Sequence, residues 1–399
     1  MSAPSRRALL AQAGSMLALA STPGLAAEFA FPGGNGARPL AKDFPQKGTM
    51  VLQRSRPPLL ETPFTDFDSG VFTPNDKFFV RWHWAPPSEI DPASFRLKIR
   101  GQVERELSLS LSDLSKFERV EIAAVNQCSG NSRGFFEPRV PGAQWGNGGM
   151  GNARWSGVRL SDVLDKAGAK SGAIVARFSG LDEATVSEAP PFRKSLGIER
   201  ARQKDVIIAT AMNGKALPLL NGYPIRLVVP GWYSTYWIKA LSDIELLDAP
   251  DDNYWMKTAY LIPDTDHANM KPGQAGVTMV PINRMVPRSF ITNLGAGAKL
   301  KTGAKSMLRG LAMGGDCGVA KVEVSSDGGQ TWRDAKLGKD EGPYSFRQWT
   351  AQVPTGAPGE ALLAVRCTNT KGEVQPDAPN WNPSGFMRNA VERLPVTVA

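Results

Sequence analysis

At 399 residues and 43.0 kDa the chain exceeds what one hydrophobic core ordinarily sustains, so two domains are expected once a leader is set aside. Hydrophobic content of 42% and charged content of 21% are those of a folded globular protein, and no run past the leader approaches the roughly 20 apolar residues of a membrane span. The 47 Lys and Arg against 38 Asp and Glu give a net charge of +9, but they are scattered, which argues against a nucleic-acid binder and leaves an anionic small substrate, an acidic protein partner or a merely solvated basic surface.

In chain order, Ser5-Arg6-Arg7-Ala8-Leu9-Leu10 precedes an apolar stretch that ends in small residues near Gly24-Leu25-Ala26-Ala27. That layout predicts an export signal over residues 1–27, and the paired arginines point to the twin-arginine route, hence a periplasmic protein exported already folded; an ordinary secretory signal is the alternative. Residues 28–75 are rich in Pro and Gly with little periodicity, which predicts an extended arm wrapped on the first domain. Phe78 to Trp82, Phe95 to Ile99 and Ile225 to Val229 read as strands, the last stopped by Pro230-Gly231. Ser110 to Leu114 and Leu160 to Leu164 read as short helix starts. Residues 28–270 are therefore expected to form a mixed α+β domain. From residue 271 to 399 strand-like runs recur between turns, among them Lys321 to Ser325 and Ala361 to Cys367, which predicts an all-β immunoglobulin-like sandwich.

Cysteines stand only at 128, 317 and 367, with no CxxC pair, so zinc-ribbon, iron-sulfur and CxxCH haem sites have no support. Cys317 and Cys367 are placed either as a disulfide or as buried free thiols. Two histidines, His83 and His267, cannot supply a bis-His haem together with a histidine-rich metal site, and HExxH is absent. Attention falls on Cys128 in Asn126-Gln127-Cys128-Ser129-Gly130-Asn131, a polar, glycine-containing loop with Arg133 five residues on. A thiol there is open to three readings: a structural residue at a strand end, a nucleophile with His83 as base, or a soft metal ligand whose thiolate is favoured by nearby cations.

Phe79-Val80-Arg81-Trp82-His83, Asn126 to Arg133, Ala153-Arg154-Trp155-Ser156-Gly157, Met212-Asn213-Gly214 and Pro224 to Gly231 occur in the order seen in the sulfite oxidase family of molybdenum enzymes. The tail with Ser326-Asp327-Gly328-Gly329-Gln330-Thr331-Trp332 resembles that family's immunoglobulin-like dimerisation domain, so the resemblance covers nearly the whole chain beyond the leader. It implies a molybdenum-molybdopterin cofactor, one pterin per chain, with Cys128 as the protein ligand to the metal. Arg81, 47 positions before Cys128, and Arg133 match anion-pocket positions, where fork-shaped, permanently charged guanidinium groups suit sulfite. His83 matches a cofactor-pocket position, and the Trp255-to-Tyr260 spacing selects Tyr260 as the substrate-facing tyrosine over Tyr233 and Tyr236. For the pterin the resemblance implies Phe79, Arg81, His83, Asp182, Asn221, Arg226, Trp237 and Lys239, with Arg226 and Lys239 facing a terminal phosphate. Asn221 stands where the vertebrate enzymes have histidine and Ser132 where they have arginine, which raises the question whether the pocket's charge, and so its anion preference, differs.

The implied reaction is oxygen-atom transfer to sulfite, giving sulfate and two electrons. Fused haem or flavin modules find neither room nor ligands, so a separate c-type cytochrome is the expected acceptor, and a homodimer the expected assembly. Kept beside this reading are a reductase of the same cofactor family acting on nitrate or a sulfoxide, a metal-free cysteine hydrolase, and a non-catalytic periplasmic binding protein.

Overall fold

Nine residues of strand, Arg119–Gln127, lie antiparallel to Met150–Arg159 and end one residue before Cys128, and this ladder is the frame on which the molecule is built. The computed structural model describes residues 26–32 and 34–399, so the expected leader over 1–27 falls outside them except for Ala26 and Ala27, which open the first strand.

The segment expected to be an extended arm is instead sheet. Strands β1 (Ala26–Phe31), β2 (Gly34–Ala41), β3 (Met50–Arg54) and β4 (Leu59–Glu61) pair in order, all antiparallel, and β5 (Val80–Arg81) closes the sheet. The prolines that suggest a wrapping arm sit mostly in turns, where a missing N–H costs no ladder bond, while Pro39 stands within β2 opposite Ala26. Phe29 and Phe31 of β1 press on two glycines of the loops around Cys128: a Cβ at Gly146 would lie 2.2 Å from the Phe29 ring, and one at Gly134 2.2 Å from that of Phe31. Only glycine admits that approach.

Two larger sheets make up most of the rest of this half, with Leu261–Pro263 and Met279–Pro281 paired antiparallel apart from them. One orders Arg193–Gly197, Val175–Gly180, Leu241–Leu247, Leu97–Gly101 and Leu107–Leu109, with a single parallel pairing between the third and fourth. The other orders Lys215–Ala216, Ile207–Met212, Met150–Arg159 and Arg119–Gln127, with Arg226–Val228 joined to the second of these. The helix starts are present. Leu111–Leu114 carries a reciprocal cap, Ser110 Oγ accepting from the Asp113 N–H while the Asp113 carboxylate accepts from the Ser110 N–H. Leu160–Ala167 buries Leu160, Val163, Leu164 and Ala167, the i, i+3, i+4, i+7 face, and stops at Gly168 with φ 70°. Its cap position is Arg159 rather than a serine. The strand expected over Phe78 to Trp82 shrinks to two residues, because Phe78, Phe79 and Trp82 are core plugs.

From Arg288 onward the chain is a two-sheet sandwich. Arg288–Ile291, Lys305–Met313, Arg347–Pro354 and Lys336–Leu337 form one sheet; Ala298–Leu300, Glu392–Val398, Gly359–Asn369, Val319–Ser325 and Arg333–Asp334 form the other. Leu308, Val322, Val324, Trp349, Val365, Cys367 and Val396 fill the space between, as alternating inward residues do. All three cysteines are free thiols, so Cys317 and Cys367 are not bridged; burial pushes the Cys367 thiol well up.

The two halves share an apolar seam in which Val125 and Met150 meet Phe290, Leu311, Phe346 and Phe386. The Val125 N–H donates to Tyr344 O at 2.8 Å, and Arg154 with Glu341 and Arg309 with Asp68 pair across it, each at 2.6 Å. The sandwich thus packs directly behind the strand that presents Cys128.

Candidate active site

Cys128 is buried, and its N–H donates to Gly149 O at 2.9 Å, which carries the ladder one residue past the end of the strand. The loop after it is pinned to residues 145–149: Ser132 N–H to Gly146 O, Gly134 N–H to Trp145 O, and Asn131 Oδ1 accepting from Gly149 N–H. Two hollows meet at this cysteine, and Arg81 and Tyr260 line both.

The inner hollow is lined by Phe79, His83, Asn126, Ser129, Asn221, Arg226 and Lys239 as well. Arg226 is fully buried; it donates to Asn221 O at 3.0 Å and Trp237 O at 3.1 Å and lies over the Trp155 ring at 5.0 Å. Among the described residues its Nε has no partner and no carboxylate balances it, so burial pulls its pKa down to about 9. Lys239 Nζ hangs over the Trp82 ring at 4.6 Å without a hydrogen-bond acceptor among the described residues. Burial, and then the Arg226 charge, lower it to about 7 against the opposing pull of Asp182. Asn126 Nδ2, Gln127 Oε1 and Ser129 Oγ are likewise buried without partners among the described residues. Buried polar groups are seldom left so. The chain therefore holds open positions for a ligand that is polar along its length and anionic at one end, which is what a pterin with a terminal phosphate offers, and the residues fit that group.

Three of the expected pterin contacts act at one remove. Asn221 lines the hollow, but its side chain is taken by Lys47 Nζ and by Phe79 O, to which it donates at 3.0 Å. Trp237 faces Trp155 and donates its Nε1–H to Trp232 O at 2.9 Å, so it is buried beneath Arg226 rather than at the surface of the hollow. Asp182 does not line the hollow; it sits beside Lys239, with burial raising its pKa.

The outer hollow, a cavity of about 340 Å³, adds Arg54, Leu59, Arg133, Trp145 and Phe386, and no carboxylate lines it. Arg133 donates Nη2–H to Ser384 O at 2.9 Å and lies 5.1 Å over the Phe386 ring. Its Nε, like Arg81 Nη1, is buried without a partner among the described residues. Phe386 stacks on Tyr260 at 5.3 Å, and Met387 N–H donates to Ser129 O at 3.2 Å, so a loop of the sandwich forms one wall of the site.

Tyr260 has φ 61°, a left-handed conformation costly for a bulky residue, and its hydroxyl is hydrogen-bonded to His83 Nε2. Burial raises the phenol pKa, while burial and the Arg81 charge hold the imidazole well below its ordinary range. The pair is thus a neutral phenol against a neutral imidazole, and the imidazole stacks on Phe192 at 3.6 Å. With Nε2 given to Tyr260 and not to the thiol, the hydrolase reading loses its base. Tyr233 and Tyr236 are packed in the core, their phenols pushed up by burial, and the Tyr236 hydroxyl is spent on Ile282 O.

The structure brings together Arg81, His83, Cys128, Arg133 and Tyr260 from three separate stretches of chain. Sequence reasoning missed Arg54, Trp145 and Phe386. Trp145 sits in the glycine-rich run after the Cys128 motif, which is a signal for close backbone approach; Arg54 and Phe386 lie in segments whose composition reads as arm and turn.

A family model for the oxidoreductase molybdopterin-binding domain matches residues 83–255, and one for the Mo-co oxidoreductase dimerisation domain matches residues 280–399. The mitochondrial sulfite oxidase of Macaca fascicularis is 34% identical over 378 residues, which is 90% of this chain and 68% of that protein. The sulfite oxidase of Arabidopsis thaliana is 26% identical over 390 residues, covering 91% of this chain and 98% of that one. Among solved structures, the sulfane dehydrogenase SoxCD from Paracoccus pantotrophus superposes with a TM-score of 0.69 at 27% identity, covering 84% of this chain and 83% of that one.

Proposed function

Since the chain belongs to the sulfite oxidase family of molybdopterin oxidoreductases, we propose that it oxidises sulfite to sulfate at a Cys128-ligated molybdenum, in the periplasm, and passes the electrons to a separate c-type cytochrome. The observation that carries this reading is the cationic cluster of Arg81 and Arg133 beside Cys128, with buried N–H groups unspent and no carboxylate in the hollow. The cytochrome acceptor and the periplasmic location rest on the resemblance and on the export-type N-terminus.

When bound, the molybdenum-pterin group supplies the two-electron couple and the oxygen atom transferred to sulfur. Arg226 and Lys239 would hold its phosphate, Asn126 and Ser129 its polar edge, and Cys128 would give the metal a soft anionic sulfur donor. Arg81 and Arg133 bind the sulfite dianion through charge-assisted hydrogen bonds to its oxygens, which leaves its sulfur free to face the site the metal would occupy beside Cys128. Tyr260 donates its O–H to a sulfite oxygen, and neutral His83 behind it, as the Nε2–H tautomer, donates to the phenol oxygen and fixes the direction of that hydroxyl. Phe386, Trp145 and Leu59 exclude bulk water, which strengthens each of these electrostatic contacts. The dimerisation domain supports a homodimer.

The test is sulfite-dependent reduction of ferricyanide, and then of cytochrome c, by purified protein whose molybdenum content is measured on the same sample. Molybdenum near one atom per chain with sulfite-dependent turnover is expected; a molybdenum-replete protein inert to sulfite overturns the reading.

A further inference from the structure

The strand that ends at Arg54 does not run regularly. Opposite Leu59 and Leu60 its register slips between Leu52 and Arg54, a bulge of the kind that re-aims a side chain at the edge of a site. The re-aimed residue reaches the outer hollow, where Arg54 lies with Arg81, Arg133 and Tyr260 around Cys128. Its Nε–H is fixed by Pro57 O at 3.1 Å, which orients the fork and leaves both terminal nitrogens without a protein partner among the described residues. Arg54 is exposed, whereas Arg81 and Arg133 are half-buried, so Arg54 is the most solvent-open of the three guanidinium groups. The nearby carboxylate of Glu61 is turned away and taken by Gly146 N–H, Gly148 N–H and Gln53 Nε2. Burial and the charge of Arg81 both pull the Arg54 pKa down, as repulsion between cations sharing one cavity requires.

We propose that Arg54 is a substrate-capture residue: it takes a sulfur oxyanion from solvent at the mouth of the outer hollow and passes it inward to Arg81 and Arg133. An exposed cation at the mouth of a charged cleft raises the encounter rate and affinity of an anion without touching the reacting atoms. Its contribution therefore falls on substrate acquisition and fades with salt, because Arg54 is the most solvent-open of the three.

The inference rests on the sulfite reading, and its test separates the two. Arg54→Gln and Arg54→Lys are compared with the unaltered holoenzyme in sulfite kinetics at low and high ionic strength, and in sulfate binding by titration calorimetry. For Arg54→Gln, kcat/KM at low salt is expected to fall about tenfold, within the range electrostatic steering spans. The fall in kcat should be under twofold, the salt dependence should flatten, and sulfate should bind about tenfold more weakly; Arg54→Lys should recover most of the loss. Unchanged KM, salt dependence and sulfate affinity in Arg54→Gln overturn the proposal, as does a loss confined to kcat. Sulfate binding that depends on Arg54 in a protein that turns over no sulfite upholds the capture role and rejects the sulfite reading. Sulfite turnover indifferent to Arg54 does the reverse.

Discussion

Arg288 Nη1 donates to Ser132 Oγ at 2.9 Å, joining the first strand of the sandwich to the loop that carries Cys128. Both residues are fully buried, and Ser132 donates its own O–H to Asn147 Oδ1 at 2.6 Å, while Arg288 is balanced by Glu392. Ser132, with φ 68°, lines neither hollow. The serine that stands in place of an arginine therefore leaves the anion pocket's charge untouched; it serves the junction between the halves.

Ser132→Ala should accordingly leave a buried guanidinium N–H unsatisfied and cost about 1–3 kcal/mol of stability, with little change in KM for sulfite. Denaturant unfolding and steady-state kinetics on the same protein decide it. A large KM shift with unaltered stability would return Ser132 to the pocket.

Cys128→Ser should retain the fold, since the thiol makes no hydrogen bond that the strand ladder needs and the backbone N–H to Gly149 is kept. Turnover should drop by more than about 100-fold, because losing a metal ligand costs at least what losing one of its supporting partners does. Elemental analysis beside a thermal melt separates a lost ligand from a lost fold, and a variant with normal molybdenum and normal turnover would falsify the ligand assignment.

How much of this was legible beforehand depends on what each residue touches. Cys128, Arg81, Arg133 and Tyr260 project from short, strongly patterned stretches, so their grouping could be read from the chain once the motifs were seen in order. Sheet formation in residues 26–61 could not, because β1 alternates only between exposed and half-buried positions, and the sheet takes its stability from strand pairing and from Phe29 and Phe31 packed on distant glycines. Trp237 illustrates the opposite error: its place in the motif is right, but its ring is spent on Trp155, and only its carbonyl, through Arg226, bears on the hollow. Phe386 was out of reach altogether, since an Asn/Pro/Gly turn more than 250 residues after Cys128 says nothing about which half of the molecule it will face.

Tyr260→Phe should cut kcat by about 100-fold, the lower end of what a positioned proton-transfer group contributes, with molybdenum content unchanged. The ring still stacks on Phe386, so the wall of the hollow survives and the loss is that of the hydroxyl. The partner's state also changes: without the phenol, His83 faces the hollow with a free Nε2, and the pH profile of kcat should move. Kinetics from pH 5 to 9 check both expectations, and a superimposable profile with full kcat would sink the assigned role.

Lys239 sets stability against cofactor binding. Its pKa is about 7 in the folded protein against an ordinary value of 10.5, lowered by burial and then by Arg226. Between those values the unfolded chain binds the proton that the folded chain has released, so stability rises with pH across roughly pH 7 to 10 and is lost as pH falls through 7. Lys47 and Lys194, also lowered to about 7 by burial, act in the same direction. Lys239→Met should therefore unfold at higher denaturant than the unaltered cofactor-free protein at pH 7, the advantage shrinking toward pH 9 as the native lysine sheds its proton. The same variant should bind cofactor poorly, since a phosphate beside Arg226 loses its second cation. Urea unfolding of both cofactor-free proteins at pH 7, 8 and 9, with molybdenum content after reconstitution, reads both effects. A variant less stable than the unaltered chain at pH 7 would show that Lys239 is held by the fold rather than reserved for the cofactor.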